Sequence, residues 1–286
     1  MVQPSKVTGA SLPSGSTGTT TPAGAAPPGA MLAVRGLHKH FGGVQAVVDL
    51  SFTVEEGTIT GLIGPNGAGK STVTNLVAGE MAPDRGRIVF AGQAVTGFSA
   101  HRMARTGVAR TFQLARELGR LTVRENLLLA PYPQAGEGLL ASLLMPAGVR
   151  RQEAELVARS EDVLRFFKLW DLRAEVAANL SGGQKKLLEL ARAMMTKPRL
   201  LLLDEPTAGV NPALIDNILE HIANLRSLGI TILIIEHNLA VIETLCDDVI
   251  VMASGTLLTR GRLADLRQNR DVVEAYLGGG RAHGAV

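Results

Sequence analysis

Gly64 to Ser71 reads GPNGAGKS, which matches the phosphate-binding loop pattern G-x-x-x-x-G-K-[ST] at every fixed position. The apolar stretch TITGLIG precedes it and is typical of a buried strand, while STVTNLVAG follows with helical character. Glycines let the backbone curl so that N–H groups point at phosphate oxygens, and a helix start adds positive potential there. The alternative, a glycine-rich turn with a chance lysine, is disfavoured by the flanking strand and helix.

We therefore expect this loop to bind ATP together with Mg²⁺. Lys70 is expected to reach the β- and γ-phosphates, and the Ser71 hydroxyl is expected to ligate the metal. The other predicted nucleotide contacts are residues of the loop and the helix start, namely Gly64, Pro65, Asn66, Gly67, Ala68, Gly69 and Thr72.

Two later apolar runs, RLLLLDEP and GITILIIEH, end in polar residues that suit the same site. Ligands bind at the carboxyl edge of a parallel sheet, and both runs are expected to end there. Asp204 is predicted to hold Mg²⁺, Glu205 to polarise the attacking water, and His237 to donate to the γ-phosphate. Alone, RLLLLDEP is equally compatible with a strand followed by a turn, and His237 by itself is more typical of an ordinary residue at a helix start. The phosphate-binding loop favours the catalytic interpretation.

Strands that alternate with helices predict an α/β fold with a parallel sheet covered on both faces. From about residue 100 to 180 the periodicity becomes helical, so a helical subdomain is expected to be inserted there. Phe166, Phe167 and Trp170 are expected to form its core, with a ligand-stacking role as the alternative. Residues from about 262 to 278 are predicted to form a helical tail.

Composition excludes several classes of protein. Hydrophobic residues make up 46% of the 286, which suits a well-cored globular chain, and a net charge of +3 lacks the concentrated charge of a nucleic-acid binder. No apolar window approaches the roughly 20 residues that span a bilayer. The single cysteine, Cys246, lies in an apolar pattern and is predicted to be a buried structural thiol. Residues 1–30, rich in Pro, Gly, Ser, Thr and Ala, are predicted to be a disordered extension ahead of a domain spanning 31–286.

Leu180 to Gln184 reads LSGGQ, directly ahead of the helical run KKLLELARAMM. On its own this stretch is typical of a loop. In this order and spacing with the phosphate-binding loop and the acidic strand end, it resembles the signature motif of the ATP-binding subunits of ABC transporters. The resemblance covers nearly everything from Met31 onward. It implies a P-loop NTPase of the ABC type with a mostly parallel central sheet, an N-terminal antiparallel β subdomain and an inserted α-helical subdomain.

The resemblance also implies a site shared between two subunits. The signature of one subunit binds the γ-phosphate of ATP held by the other, and its predicted contacts are Ser181, Gly182, Gly183 and Gln184. The loop AGVN, residues 208 to 211, corresponds to the family's contact with the opposite subunit. The family usually has an aspartate where this chain has Asn211, which leaves the hydrogen bonding of that loop open.

Two more positions carry over from the family. Gln113, in RTFQ, resembles the glutamine that contacts Mg²⁺ and the attacking water and links the site to the membrane subunit. Phe41, in HKHFGG, resembles the aromatic residue that stacks on adenine. Packing within the strand region is the alternative for Phe41.

Three features resemble the branch that serves branched-chain amino acid importers: the long run between RTFQ and LSGGQ, the stretch AGVNP, and the ending VVEAYLGG. Related subunits for urea, amides or other substrates share them. The implied partners are membrane-spanning permease subunits, a second ATP-binding subunit, identical or sister, and an extracytoplasmic solute-binding protein. No nucleic-acid partner is implied, and the expected location is the cytoplasmic face of the membrane.

Two other classes fit less well. A soluble ABC-type ATPase of DNA repair or translation tends to carry a long coiled-coil insertion or tandem cassettes, and neither is visible. A kinase with a phosphate-binding loop has no use for LSGGQ. Basic residues between the loop and the signature predict either an ordinary solvated face or a surface for a cytoplasmic loop or anionic lipid. They are His101, Arg102, Arg105, Arg110, Arg116, Arg120 and Arg124.

Overall fold

The computed structural model describes residues 28–111, 118–131 and 146–278, apart from the side chains of residues 146, 147 and 275–278. The predicted disordered extension therefore lies outside the described residues, except for its last three positions. Gln113 and Arg116 also lie outside them.

Four strands form an antiparallel sheet in the order β2-β1-β4-β5. Strands β1 (Ala30–Phe41) and β2 (Val44–Glu55) make a long hairpin, and β4 (Arg85–Phe90) pairs with the other side of β1 and with the short β5 (Gln93–Ala94). The hairpin turns at two glycines, and the first has a φ of +55°, a conformation that glycine adopts without steric cost.

A second sheet of six strands runs in the order β10-β9-β3-β8-β7-β6. Its first five strands in chain order pair in parallel, and only the last is antiparallel to its neighbour. The strands are β3 (Ile59–Ile63), β6 (Val108–Arg110), β7 (Leu200–Asp204), β8 (Thr231–Ile235), β9 (Asp248–Ala253) and β10 (Thr256–Gly261). Every residue of β3, β7 and β8 is buried, which explains why their sequences are predominantly apolar and do not alternate with polar residues.

The side chains of the parallel sheet alternate between two hydrophobic clusters. Leu200 and Leu202 of β7 face the cluster that includes the antiparallel sheet and the helix after the phosphate-binding loop. Leu201 and Leu203 face a cluster built with the remaining helices. Because successive side chains point to opposite faces, the sheet is packed between two apolar layers. Its carboxyl edge is left for polar side chains.

Helices cover both faces of the parallel sheet. In chain order they are α1 (Lys70–Ala78), α2 (Ala100–Thr106), α3 (Val123–Leu128), α4 (Pro146–Phe166), α5 (Gly182–Met195), α6 (Pro212–Ser227), α7 (Leu239–Leu245), α8 (Leu263–Leu266) and α9 (Arg270–Gly278). Helices α3, α4 and α5 pack on one another as a helical group. Phe167 is fully buried there, and Phe166 and Trp170 pack against the same cluster.

The predicted α/β class, with a mostly parallel sheet, an antiparallel sheet and a helical group, is confirmed. One detail was wrong: the stretch after residue 100 is not helical throughout. Strand β6 pairs in parallel with β7, with Val108 opposite Leu200 and Arg110 opposite Leu202. Three residues are too few to show a strand period in the sequence, so the helical group begins only after β6.

Cys246 packs against the helix-side cluster. Burial raises the pKa of its thiol to about 12, and the nearby carboxylates of Asp247, Asp248 and Glu236 act in the same direction. The thiol is therefore protonated at neutral pH, which fits a structural role better than a nucleophilic one.

Candidate active site

The phosphate-binding loop connects β3 to α1 at the carboxyl edge of the parallel sheet. Two of its glycines are required by packing. A Cβ on Gly64 would lie 2.2 Å from the carbonyl oxygen of Met252, and one on Gly69 would lie 2.4 Å from that of Ala46. Both have positive φ angles, +153° and +96°. The fixed glycines of the motif therefore let the loop fit between neighbouring backbones.

Helix α1 begins at Lys70 with Gly69 as its N-cap, and no side chain caps its first turn. The N–H groups of that turn are thus left for a ligand, and the helix terminus favours an anion. Ser71 and Thr72 lie in this turn, and Asn66 and Gly67 are exposed at the tip of the loop.

The Lys70 ammonium is buried and donates to the carbonyl oxygens of Gly64, at 2.7 Å, and Pro65, at 3.0 Å. Burial lowers the pKa of Lys70, and the negative charges of Glu205 and Asp204 oppose that shift. Neutral carbonyls are weaker partners for an ammonium than a phosphate is, so the geometry suits an anionic ligand in the loop.

Asp204 ends β7 and is only 4% exposed. Its Oδ2 accepts a hydrogen bond from Nη2 of Arg110 at 3.1 Å. Its Oδ1 is buried and has no hydrogen-bond partner among the residues that the structure describes. An unpaired buried carboxylate oxygen is costly, and a bound cation is one partner that would satisfy it.

This oxygen fits the predicted magnesium site. Asp204 and the Ser71 hydroxyl carry hard oxygen atoms of the kind that Mg²⁺ prefers, and their ligation of the metal stays a prediction. Across the described ranges there is no cluster of three or more His, Cys, Asp and Glu side chains that could hold a metal. A site completed by phosphate and water oxygens does not need one. The third predicted ligand, Gln113, lies outside the described residues.

Glu205 follows Asp204 with a φ of +48°, a conformation that is uncommon outside glycine. Its backbone N–H donates to the carbonyl of Ile235 at 2.9 Å, which ties the end of β7 to the end of β8. Its Oε1 lies 2.5 Å from Nε2 of His237. The two predicted catalytic residues are thus in direct contact, so His237 can orient the Glu205 carboxylate. A direct role of His237 toward the γ-phosphate stays a prediction.

Glu236 was not identified from the sequence. It is buried, and its Oε1 accepts from both the backbone N–H of Thr207, at 3.1 Å, and its hydroxyl, at 2.6 Å. Its Oε2 accepts from the backbone N–H of His237 at 3.2 Å. The carboxylate therefore joins the loop after Glu205 to the segment that carries His237. The available signal was a charged residue directly after the apolar run Ile232–Ile235 of β8.

Arg110 was placed among the residues of a basic surface, and this is wrong. Its side chain is only 11% exposed and pairs with Glu80 and Asp204. The physical reason is the pairing of β6 with β7, which sets Arg110 beside the strand that ends in Asp204.

The signature lies at the start of α5, which explains its composition. Ser181 is the N-cap, and it forms a reciprocal capping box with Gln184: the N–H of Gln184 donates to the Ser181 hydroxyl, and the N–H of Ser181 donates to the Gln184 side chain. Ser181 and Gly182 are exposed. Gly183 is buried, and a Cβ there would lie 2.9 Å from Leu214 of α6. Gly183 thus serves packing within the chain, and a ligand contact of the exposed Ser181 and Gly182 stays a prediction.

The loop 208–211 lies next to the signature, since a Cβ on Gly182 would lie 3.8 Å from the carbonyl oxygen of Gly209. The two segments predicted to face the opposite subunit are therefore adjacent. Asn211 is the N-cap of α6, and its side-chain oxygen accepts from the N–H of Ala213 at 3.0 Å. The departure from aspartate removes a charge, but the helix cap is kept.

Phe41 is at the tip of the β1–β2 hairpin and is 48% exposed. The Lys39 ammonium lies 5.7 Å from the centre of its ring. Stacking on adenine stays a prediction, and the exposed ring favours it over packing within the strands.

Comparisons with known proteins agree with this geometry. The family model for the ABC transporter domain matches residues 47–208. A probable branched-chain amino acid transport ATP-binding protein, LivG, of Archaeoglobus fulgidus is 42% identical over 250 residues, which cover 87% of this chain and 95% of that protein. The chain belongs to the ABC transporter family. BraF of Pseudomonas aeruginosa, a high-affinity branched-chain amino acid transport ATP-binding protein, is 40% identical over 249 residues. The match covers 87% of this chain and 98% of BraF.

Solved structures of ABC cassettes have the same fold. A nucleotide-free ATP-binding cassette from an ABC transporter has a TM-score of 0.75 at 37% identity, with 86% of this chain and 98% of that chain covered. The ADP conformation of the cassette MJ1267 has a TM-score of 0.75 at 36% identity, covering 87% and 99%. The predicted family and fold are confirmed, and the chain is an ABC ATPase subunit that binds ATP. None of the helices in the described parts of the chain is both long and apolar enough to cross a membrane.

Proposed function

We propose that this ABC ATPase subunit energises the uptake of branched-chain amino acids from the cytoplasmic face of a membrane. The site carries the proposal of ATP hydrolysis: a buried carboxylate oxygen of Asp204 and the paired Glu205 and His237 stand at the sheet edge that holds the phosphate-binding loop. The substrate class is supported by the relatives LivG and BraF, whose names specify branched-chain amino acid transport.

In the proposed reaction, the first-turn N–H groups of α1 and the Lys70 ammonium bind the β- and γ-phosphates. Glu205 accepts a proton from the attacking water, and His237 holds that carboxylate in place. General-base assistance of this kind is worth roughly 10²–10⁴-fold in rate. Ser71 and Asp204, with Gln113 as a third predicted contact, would hold Mg²⁺, which would supply positive charge that offsets the charge of the phosphate oxygens.

The proposed active unit contains two ATP-binding subunits, either two copies or this chain and a sister chain. Ser181 and Gly182 are exposed and lie at the N-terminus of α5, a helix of 14 residues. Such a terminus suits the γ-phosphate of a nucleotide held by the other subunit. In that complex the Ser181 hydroxyl would exchange its contact with Gln184 for one with phosphate.

We propose that the permease binds in a groove of about 380 Å³ between the sheet domain and the helical group. Ala100 and Ala104 of α2 line one side, and Leu129 and Ala193 line the other. Leu129 is 59% exposed, so an apolar side chain is available for a partner. A segment bound here contacts both parts of the chain at once, which suits the transmission of a closing motion.

The ATPase proposal is tested with Glu205→Gln. This variant should bind ATP like the unmodified protein but lose at least about 100-fold in turnover, since the general base is removed. It should also accumulate as a dimer on size-exclusion chromatography with ATP. Full turnover in Glu205→Gln would exclude Glu205 as the base.

The transport proposal is tested in cells and membranes. Deletion of the gene should abolish uptake of labelled leucine, isoleucine and valine, and the protein should co-purify with permease subunits and a sister ATPase from solubilised membranes. Unchanged uptake of these amino acids with loss of urea or amide uptake would assign the chain to the related systems instead. Recovery with nucleic acid or ribosomes, and without a permease, would contradict a transport role.

A further inference from the structure

Arg110 connects the groove to the proposed metal ligand. Its Nη2 donates to Oδ2 of Asp204 at 3.1 Å, and its Nη1 lies 2.8 Å from Oε2 of Glu80. Nη1 also donates to the side-chain oxygen of Asn75, on α1. One guanidinium group therefore joins the end of β7 to the helix that follows the phosphate-binding loop and to the segment after that helix.

The two ends of this connection differ in exposure. The Asp204 side chain is 5% exposed and is held inside the site, whereas the Glu80 side chain is 35% exposed and lines the groove. Arg110 lines the groove as well. A partner that binds in the groove can thus contact Glu80 and Arg110 without entering the nucleotide site.

The contact with Arg110 also determines which oxygen of Asp204 is available. Since Oδ2 is engaged by Nη2, Oδ1 is the oxygen left without a partner among the described residues. A planar guanidinium with fixed donor directions can hold a carboxylate in one orientation, which a flexible ammonium cannot do as well.

We propose that Arg110 is a positioning residue that orients Asp204 toward Mg²⁺ and, through Glu80, makes metal binding responsive to occupancy of the groove. The proposal rests on the proposed function, because it takes the site beside Asp204 to be the magnesium site. In this proposal the side chains of Glu80, Arg110 and Asp204 link the groove to the metal site. This link is separate from the predicted role of Gln113.

Positioning and simple charge make opposite predictions. If Arg110 acted only through its charge, its removal would take away a positive charge that repels the metal ion, and metal binding would become tighter. If it orients Asp204, its removal should weaken metal binding by about 10–100-fold, the usual cost of losing a residue that orients a metal ligand.

The test uses Mn²⁺ as the probe, titrated into the purified full-length protein with a non-hydrolysable ATP analogue and followed by electron paramagnetic resonance. Arg110→Gln and Arg110→Lys should both show weaker Mn²⁺ binding. Glutamine lacks the guanidinium group altogether, and lysine keeps the positive charge but lacks the fixed, planar set of donors. Affinity for the metal-free nucleotide in EDTA should equal that of the unmodified protein. Glu80→Ala should shift the Mn²⁺ affinity in the same direction by a smaller factor, because Asn75 still holds Arg110.

Arg105→Gln is the matched control, because it removes the same charge from an exposed position on α2, beside the groove. Its Mn²⁺ affinity should be unchanged. Tighter or unchanged Mn²⁺ binding in both Arg110 variants, or full recovery in Arg110→Lys, would overturn the positioning role. An unchanged affinity in Glu80→Ala would overturn the link to the groove. If the unmodified protein bound nucleotide without any contribution from Mn²⁺, the proposed magnesium site itself would fail.

Discussion

Replacement of Glu236 tests whether the loop after Glu205 and the segment of His237 are held by one carboxylate. In Glu236→Ala, the N–H and hydroxyl of Thr207 and the N–H of His237 lose their acceptor. In Glu236→Gln, the amide oxygen can still accept from Thr207, but the amide nitrogen faces the N–H of His237. The alanine variant thus frees both segments, and the glutamine variant frees mainly His237.

The magnitude follows from these contacts. Hydrogen bonds to charged groups contribute about 1.5–3 kcal/mol each, so the loss of the two bonds from Thr207 and the one from His237 sets an upper range of roughly 4.5–9 kcal/mol for Glu236→Ala. Removing a buried charge recovers part of that cost, and we expect a net loss of about 2–4 kcal/mol in unfolding free energy. Glu236→Gln should lose about 1–2 kcal/mol, since one bond is exchanged for an unfavourable contact.

Catalysis should respond differently from nucleotide binding. The contacts of Glu236 do not include the phosphate-binding loop, so KM for ATP should stay unchanged in Glu236→Gln. Because His237 loses its anchor and contacts Glu205, kcat should fall by about tenfold, equivalent to roughly 1.4 kcal/mol in the barrier.

Urea unfolding and steady-state ATPase assays measure both effects. Glu243→Gln is the matched control, since Glu243 is exposed and pairs with Arg267 on the surface. Such pairs contribute about 0–1 kcal/mol, so this control should retain stability and turnover. A raised KM with unchanged kcat in Glu236→Gln, or stability equal to that of the unmodified protein in Glu236→Ala, would refute the reasoning.

Three further substitutions test other parts of the structure. Ser181→Arg should leave ATP binding intact, because the nucleotide is held by its own chain's loop, while ATP turnover in the dimer is lost; normal turnover would contradict a shared site. Asn211→Ala should cost about 1 kcal/mol in urea unfolding through loss of the α6 N-cap, and Asn211→Asp should not. Burial lowers the pKa of His221. When the pH falls below the unfolded-state pKa of about 6.5, the unfolded chain therefore binds more protons than the folded chain, and the free energy of unfolding decreases as the pH is lowered. His221→Leu should flatten that decline in urea midpoints measured from about pH 8 to 5, and an unchanged slope would exclude His221 as its source.

The sequence predicted the central strands well for a physical reason. Strands buried on both faces of a parallel sheet are continuously apolar, as in RLLLLDEP and GITILIIEH, and few other elements of that length are. The phosphate-binding loop was predictable because its glycines are required by close backbone contacts at Gly64 and Gly69. Strand β6 was missed because its three residues owe their conformation to pairing with β7 and not to their own pattern.

The roles of Arg110 and Glu236 were beyond sequence reasoning for a related reason. Several arginines lie between His101 and Arg124, and only the parallel pairing of β6 with β7 determines which one reaches Asp204. Glu236 stands between an apolar strand and His237, and the sequence does not show whether its carboxylate points to solvent or to Thr207. In both cases the deciding contact joins residues far apart in the chain.

The polar groups at the carboxyl edge form two connected sets that leave the site in different directions. One runs from Asp204 through Arg110 to Glu80 in the groove, and the other runs from Glu205 through His237 to Glu236 and the loop before α6. Asp204 and Glu205 are adjacent residues, so a shift of either set moves the residue predicted to hold the metal or the residue predicted to activate water. If, as proposed, a permease segment binds in the groove and a second subunit contacts the loop, the two would act on different steps of the reaction. This arrangement predicts that substitutions in the first set change metal affinity, whereas those in the second change kcat at saturating metal.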